Sequence, residues 1–353
     1  MTSKIAEIKQ YGQKIWLDNI SRELLNSGSL AKLIEEDQIA GLTSNPAIFF
    51  KAISSDPRYQ DELKQLKALD LTPLQRYEQI ATADIKKACS LMASLYNSSN
   101  KEDGYVSLEV SPHLAKDANG TVKSALELWN AVNQPNLMIK VPATLEGIEA
   151  FEQLVILGIN VNITLLFSLK QVNLVWDAYI RGLEKRANEN LPVTDIKTVA
   201  SFFLSRVDSA IDDKLPQHLQ GKVAINLAKC AYLDYQKIFH GERFSKLKTK
   251  GAKGQYLLWA STGTKNKAYS DVLYVEELIG QETINTVPDA TLDAFRDHGV
   301  AANRLAEKID SAPSVLADAE KSGINLEELG NKLQVDGLKL FDDAFNQLLE
   351  LVK

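Results

Sequence analysis

The chain has 353 residues, 45% of them hydrophobic and 24% charged, the composition of a folded globular protein long enough for a barrel of ~250 residues with added elements. Its 40 basic and 46 acidic side chains leave a net charge of −6, which excludes the electrostatic footprint of a nucleic-acid or anionic-membrane binder. No apolar run approaches the ~20 residues of a membrane-spanning helix, and Cys89 and Cys230 lack metal or redox spacing, so a cytoplasmic, reducing location is expected.

The first ten residues carry too much charge for a signal-peptide core, and residues 4–13 read as a short amphipathic helix through Ile5, Ile8 and Tyr11. Ile15-Trp16-Leu17 is a strand ending in Asp18 and Asn19, and Ser21 to Ser27 a helix stopped by Gly28. A second strand, Ile39 to Leu42, runs directly into Thr43-Ser44-Asn45-Pro46. Helices follow over about residues 57–68 and 73–97, the second opened by Thr72 as N-cap and Pro73 at its first position. After the turn Lys101 to Gly104 come a third strand, Tyr105 to Val110, and the helix Thr121 to Val132. The fourth strand, Leu137-Met138-Ile139-Lys140-Val141, is closed by Pro142. Leu145 to Leu157 is helical, Asn160 to Phe167 the fifth strand, and Leu169 to about Asn190 a long helix. Thr198 to Phe203 is the sixth strand, with helices at Ser205 to Leu215 and Val223 to Phe239. Gln255 to Ser261 is the seventh, Ala268 to Ile279 a helix, and Thr283 to Val287 the eighth. Ala290 to His298 and most of residues 300–353 read as helix.

Eight strands alternating with helices predict an α/β fold, a single (β/α)8 TIM barrel over residues 1–353 with extra amino- and carboxyl-terminal helices. An open doubly wound sheet is the alternative, but no Gly-x-Gly-x-x-Gly follows the first strand. Leu326, Leu329, Leu333 and Leu338 give the extension 300–353 an apolar stripe, so it either caps the barrel's amino-terminal end or forms a subunit contact. Monomer and homodimer both stay open.

Lys140 interrupts a run that is apolar on both faces, where an ammonium is costly unless it is paired or gives up its proton. One reading is a nucleophilic amine that forms a Schiff base with a carbonyl; the other is a stem that packs while its head reaches water. Barrels place chemistry at the carboxyl ends of their strands, so the polar residues there belong together. They are Asp18, Asn45, Glu109, Lys140, Asn162 with Thr164, Ser201 with Arg206, and Ser261 with Lys265. Asp18 taken alone could be an N-cap, and Asn45 before Pro46 a turn residue. Glu109 and Thr164 on apolar strands are harder to dismiss. Seven such strand ends around one circle make the dull account poor.

Six segments carry a specific resemblance. Trp16-Leu17-Asp18, Gly41-Leu42-Thr43-Ser44-Asn45-Pro46, Ser107-Leu108-Glu109-Val110-Ser111-Pro112 and Ile139-Lys140-Val141-Pro142-Ala143-Thr144 resemble transaldolases. So do Gly158 to Phe167 and Ala200-Ser201-Phe202-Phe203-Leu204-Ser205-Arg206, in the family's order, over about residues 12–300. The length and Trp259 to Lys265 look like the longer bacterial branch. The resemblance implies a class I aldolase barrel that moves a dihydroxyacetone unit from a ketose phosphate to an aldose phosphate in the pentose phosphate pathway. It implies Lys140 as nucleophile, Asp18 as the base at the C4 hydroxyl, and Glu109 with Thr164 as holders of a proton-carrying water. Asn45, Asn162 and Ser201 would bind the dihydroxyacetone hydroxyls, and Arg206 and Ser261 the phosphate. Shorter members have an arginine where this chain has Gly263, so Lys265 is the candidate second phosphate cation, with Lys267 and the amides of Thr262 and Gly263 as alternatives.

No cofactor or metal is implied, because a protonated imine does the electron withdrawal. His113, His218, His240 and His298 have no ligand spacing. Expected partners are phosphorylated sugars, with neither nucleic acid nor membrane. The alternatives are a fructose-6-phosphate aldolase that releases free dihydroxyacetone, or a phosphosugar-binding barrel without catalysis. Such aldolases are shorter and carry a tyrosine at Phe203, and a phenyl ring cannot polarise a hydrolytic water.

Overall fold

The computed structural model describes residues 3–353. Its centre is a closed ring of eight parallel strands: β1 Gln13–Leu17, β2 Gly41–Leu42, β3 Tyr105–Glu109, β4 Leu137–Pro142, β5 Val161–Leu166, β6 Thr198–Phe203, β7 Tyr256–Ala260 and β8 Thr283–Val287. Every residue of β2, β3, β4, β5, β6 and β8 is buried, as strands covered by side chains inside the barrel and helices outside must be. The ring closes where β1 meets β8 over five register positions. Only two residues of β2 join, and they do so because position 41 is glycine. A Cβ there would stand 2.5 Å from the Trp16 indole.

β5 breaks the regular register. Ile163 pairs with Ala200 and Leu166 with Phe202, so Thr164 and Leu165 stand opposite Ser201 alone. This is a β-bulge, a device that re-aims a side chain. Leu165 takes a left-handed φ of 64° to make it, a conformation that costs an L-residue roughly 1–2 kcal/mol.

Helices differ from expectation in informative places. Pro46–Ser55 is a helix, not a turn, because the Asn45 side chain caps it by accepting from Ile48 N at 3.0 Å. Ser29–Glu36 and Glu242–Lys248 are further unexpected helices. Conversely, only Leu273–Glu276 of the expected Ala268 to Ile279 helix forms. There Asn266 Oδ1 takes Ala268 N at 2.9 Å and Ser270 Oγ takes Val272 N, local bonds that compete with helix. Residues 300–308 are extended or turn, and helix resumes as Ala312–Lys321 and Leu326–Val352.

Of the two readings of the extension, a cap on the amino-terminal end or a subunit contact, the last helix overturns the first. Leu326–Val352 lies across the carboxyl ends of the strands. Gln334 Nε2 donates to Ala143 O at 2.8 Å, and Phe345 packs edge-on against Tyr77 and His113. Of its leucine stripe, Leu333 is buried and Leu326, Leu329 and Leu338 are partly buried against the core. Arg76 Nη1 donates to Lys353 O at 2.6 Å and ties down its end.

Candidate active site

A pocket of about 220 Å³ opens among the carboxyl ends of the strands. Asp18, Asn45, Lys140, Asn162, Thr164, Ser201, Phe203, Arg206, Ser261 and Lys265 all line it. Glu109, the remaining expected residue, stands behind Lys140. The registers Glu109 with Lys140 and Lys140 with Asn162 set these three side by side on β3, β4 and β5.

Lys140 is only 5% exposed, so its head does not reach bulk water by way of a long stem. Its Nζ donates to Ser44 O at 3.1 Å, lies 3.3 Å from Glu109 Oε2, and stands 5.3 Å from the centre of the Phe341 ring. Burial pushes the Glu109 carboxyl up to about 7, against the opposing pull of the Lys140 ammonium. Glu109 Oε2 is buried with the Lys140 ammonium beside it, and Thr164 Oγ1 is buried without a hydrogen-bond partner among the described residues. A buried hydroxyl without a partner, lining the same pocket as the amine, has its bonding capacity free for a bound molecule.

Asp18 follows β1, where its backbone N–H donates to Val287 O at 2.9 Å. Thr43 Oγ1 donates to its Oδ1 at 2.7 Å and sits 3.0 Å from Thr286 Oγ1. The N-cap account of Asp18 fails, because Ser21 caps the helix Arg22–Asn26 by accepting from Leu24 N. Burial raises the Asp18 carboxyl, opposed by Lys140 and by the Thr43 hydroxyl.

Ser201 Oγ donates to Asn162 Oδ1 at 2.6 Å, and Asn162 Nδ2 donates to Ser107 Oγ at 3.1 Å. This chain orients both side chains across β3, β5 and β6. Asn45 Oδ1 is engaged by its helix cap, which leaves its amide nitrogen for the pocket. Ser261 adopts φ 55° past β7, and its Oγ lies 3.0 Å from Ser205 Oγ.

Arg206 opens the helix Ser205–Ile211, with its guanidinium 5.6 Å from the Phe203 ring centre and its pKa lowered by burial. Among the described residues neither Arg206 nor Lys265 has a carboxylate partner within salt-bridge distance, so two cations on the pocket wall keep their charge for something else. Of the alternatives to Lys265, Gly263 lines the pocket and Lys267 does not.

Sequence reasoning missed Thr43, Thr286 and Phe341 as lining residues. Thr43 had a signal, since it directly follows a strand. Phe341 had none, because it is one apolar residue in a long amphipathic helix. Among the described residues no three His, Cys, Asp or Glu side chains form a metal-holding group, and no helix is long and apolar enough to cross a membrane.

A family model described as transaldolase/fructose-6-phosphate aldolase matches residues 15–352. A protein named transaldolase from Neisseria meningitidis serogroup C is 52% identical over 345 residues, 98% of either chain. One of the same name from Thiobacillus denitrificans is 48% identical over 350 residues, covering 97% of this chain and 98% of the relative. A "Transaldolase 2" from Nostoc punctiforme is 43% identical over 368 residues, covering 99% and 96%.

Proposed function

We propose that this chain, which belongs to the transaldolase/fructose-6-phosphate aldolase family, is a transaldolase of the non-oxidative pentose phosphate pathway that works through a Schiff base on Lys140. The observation that carries the mechanism is one buried amine on the floor of an open polar pocket, with a carboxyl of pKa about 7 behind it. Glu109 as carboxylate accepts the ammonium proton, and the neutral amine attacks C2 of sedoheptulose 7-phosphate or fructose 6-phosphate. The protonated Glu109, with a water held between it and Thr164, then assists loss of hydroxide from the carbinolamine as water. A group with a pKa near the working pH suits both directions of transfer.

The resulting iminium draws electrons from the C3–C4 bond as Asp18 removes the C4 hydroxyl proton. The aldose phosphate leaves, and the enamine remains on Lys140. An acceptor, glyceraldehyde 3-phosphate or erythrose 4-phosphate, takes the new bond at its aldehyde carbon and a proton from Asp18. Hydrolysis of the imine releases the product ketose. Asn45, Asn162 and Ser201 bind the dihydroxyacetone hydroxyls. Arg206, Ser261 and Lys265 hold the phosphate, a reading supported by two lining cations without carboxylate partners. The proposal includes a cytoplasmic location, which fits two buried free thiols raised to about 12 at Cys89 and about 11 at Cys230.

Borohydride reduction with fructose 6-phosphate, followed by peptide mass mapping, tests this directly. A three-carbon adduct on Lys140 is expected, and an adduct on another lysine would remove the assignment. A parallel assay measures free dihydroxyacetone against acceptor-dependent transfer. Transfer should dominate, because Phe203 offers no hydroxyl to a hydrolytic water. Predominant release would instead identify an aldolase, and no turnover a binding barrel.

A further inference from the structure

We propose that Gln334, on the carboxyl-terminal helix, is a positioning residue for imine formation: its amide holds the β5 bulge at Thr164, which lines the pocket with Lys140. The inference rests on the reading of Thr164 given above. Three features of the molecule converge on it.

The first is the bulge itself. With Thr164 and Leu165 both opposite Ser201, the direction of Thr164 depends on Leu165 staying in its left-handed conformation. A buried leucine does not hold φ 64° by its own preference, so something else must select that state. The second is the partner of its carbonyl. Gln334 Nε2 has two protons, and both are used: one goes to Leu165 O at 3.0 Å and one to Ala143 O at 2.8 Å. These carbonyls lie where β4 and β5 part, just beyond the bond from Ala143 N to Thr164 O at 2.7 Å. The amide therefore bridges the two strands that carry Lys140 and Thr164.

The third is the fit of the helix. Gly330, Gln334, Gly337 and Phe341 recur at helical spacing and share one face. A Cβ at Gly330 would meet Ser168 Cβ at 2.7 Å, and one at Gly337 would meet Leu165 Cδ2 at 3.0 Å. Only a helix lacking side chains at those two places comes near enough for Gln334 to reach both carbonyls. The same face then sets Phe341 over Lys140. A merely structural glutamine would satisfy the same carbonyls, so the test must separate geometry at Thr164 from stability.

The experiment is single-turnover borohydride quenching of the full chain with fructose 6-phosphate, which reads the rate at which the trapped adduct appears. Gln334→Met keeps the stem and removes both donors. Imine formation should slow by ~10–100-fold, the range in which sub-ångström to ångström misplacement acts. Donor affinity and the subsequent C3–C4 cleavage should stay within about twofold of the parent. Thr164→Ala should slow the same step, and the double variant should be no slower than Thr164→Ala alone, since one group acts through the other. Gln334→Lys, whose ammonium can donate to both carbonyls, should restore most of the rate. Gln334→Glu, which repels them, supplies the slow variant if Gln334→Met proves insoluble. An unchanged rate in the slow variant, or losses that multiply in the double variant, overturns the role of Gln334 and leaves Thr164 intact. A normal rate in Thr164→Ala overturns the reading of Thr164 and this proposal with it.

Discussion

The barrel buries a lysine against a glutamate at each of its two ends, and only one of these pairs is built to react. At the amino-terminal end Lys197, 2% exposed, lies 2.7 Å from Glu102 Oε2 and 4.2 Å from the Tyr256 ring centre. Glu102 also takes Lys253 at 2.8 Å and Lys14 at 3.7 Å, and the three cations hold its carboxyl down at about 2. At the carboxyl end Glu109 has Lys140 as its one ion-pair partner among the described residues, and burial pushes it up to about 7. By pKa alone Lys197, lowered to about 8 by burial, would look like a nucleophile. What distinguishes Lys140 is its place on the pocket that Asp18, Asn162 and Thr164 also line. The Lys197 pair is bound up among three cations, whereas the Lys140 pair stands at a pocket.

Exchanging the two lysines in turn gives the largest expected contrast. Lys140→Met should lower kcat by ~10⁴–10⁶-fold, as loss of a nucleophile does, and leave the fold intact. Lys197→Met should keep kcat within about threefold and destabilise by about 1–3 kcal/mol, because Glu102 keeps two other partners. Turnover and thermal denaturation on both variants decide it, and loss of adduct formation in Lys197→Met would dissolve the contrast.

Within the reactive end, Asp18→Asn should lower kcat by ~10²–10⁴-fold, the usual worth of a positioned general base. Reduction should then trap a six-carbon adduct, since imine forms but C3–C4 does not break. Glu109→Gln should slow imine formation instead. The same trapped species at the same rate in both variants would leave no division of labour between the two carboxyls.

Arg206→Ala should reduce kcat/KM for phosphorylated ketoses by about 1.5–3 kcal/mol, the worth of a charged hydrogen bond. Unphosphorylated donors should hardly change. Lys265→Ala should follow more weakly, because an ammonium lacks the planar fork. Equal loss with both donor types would make Arg206 a support for the barrel wall.

The smallest expected effect is on stability against pH, and its sign is opposite at the two ends. Glu109 is raised from 4.5 to about 7, so its contribution is present below pH 4.5 and lost as pH rises through 7. Glu102 is lowered from 4.5 to about 2, so its contribution is present above pH 4.5 and lost as pH falls through 2. Glu109→Gln should therefore gain on the parent at neutral pH, and Glu102→Gln should lose, with the deficit closing in acid. Denaturation midpoints over a pH series measure both slopes.

The eight strands and the strand-end residues were legible because each is a local signal. A short apolar run followed by a polar side chain means the same thing wherever the chain later goes. Helices bounded by side-chain capping were less legible: Asn45 before Pro46 reads as a turn until its carbonyl oxygen is seen on Ile48 N. The helix expected over Ala268 to Ile279 and formed only at Leu273–Glu276 shows the converse, since helical spacing says nothing of the Asn266 and Ser270 bonds before it.

By itself, then, the sequence determined the barrel, the order of its strands, and the ring of Asp18, Asn45, Glu109, Lys140, Asn162, Thr164, Ser201 and Arg206 around its carboxyl face, because period and strand ends are written within a few residues. Tertiary structure alone decided which lysine–glutamate pair stands at a pocket, and on which end of the barrel the last helix lies. Both are matters of partner rather than period. Gly330, Gln334, Gly337 and Phe341 form a face that fits any groove of the right shape, and only the closed barrel, with its β5 bulge presenting the Leu165 carbonyl, supplies that groove.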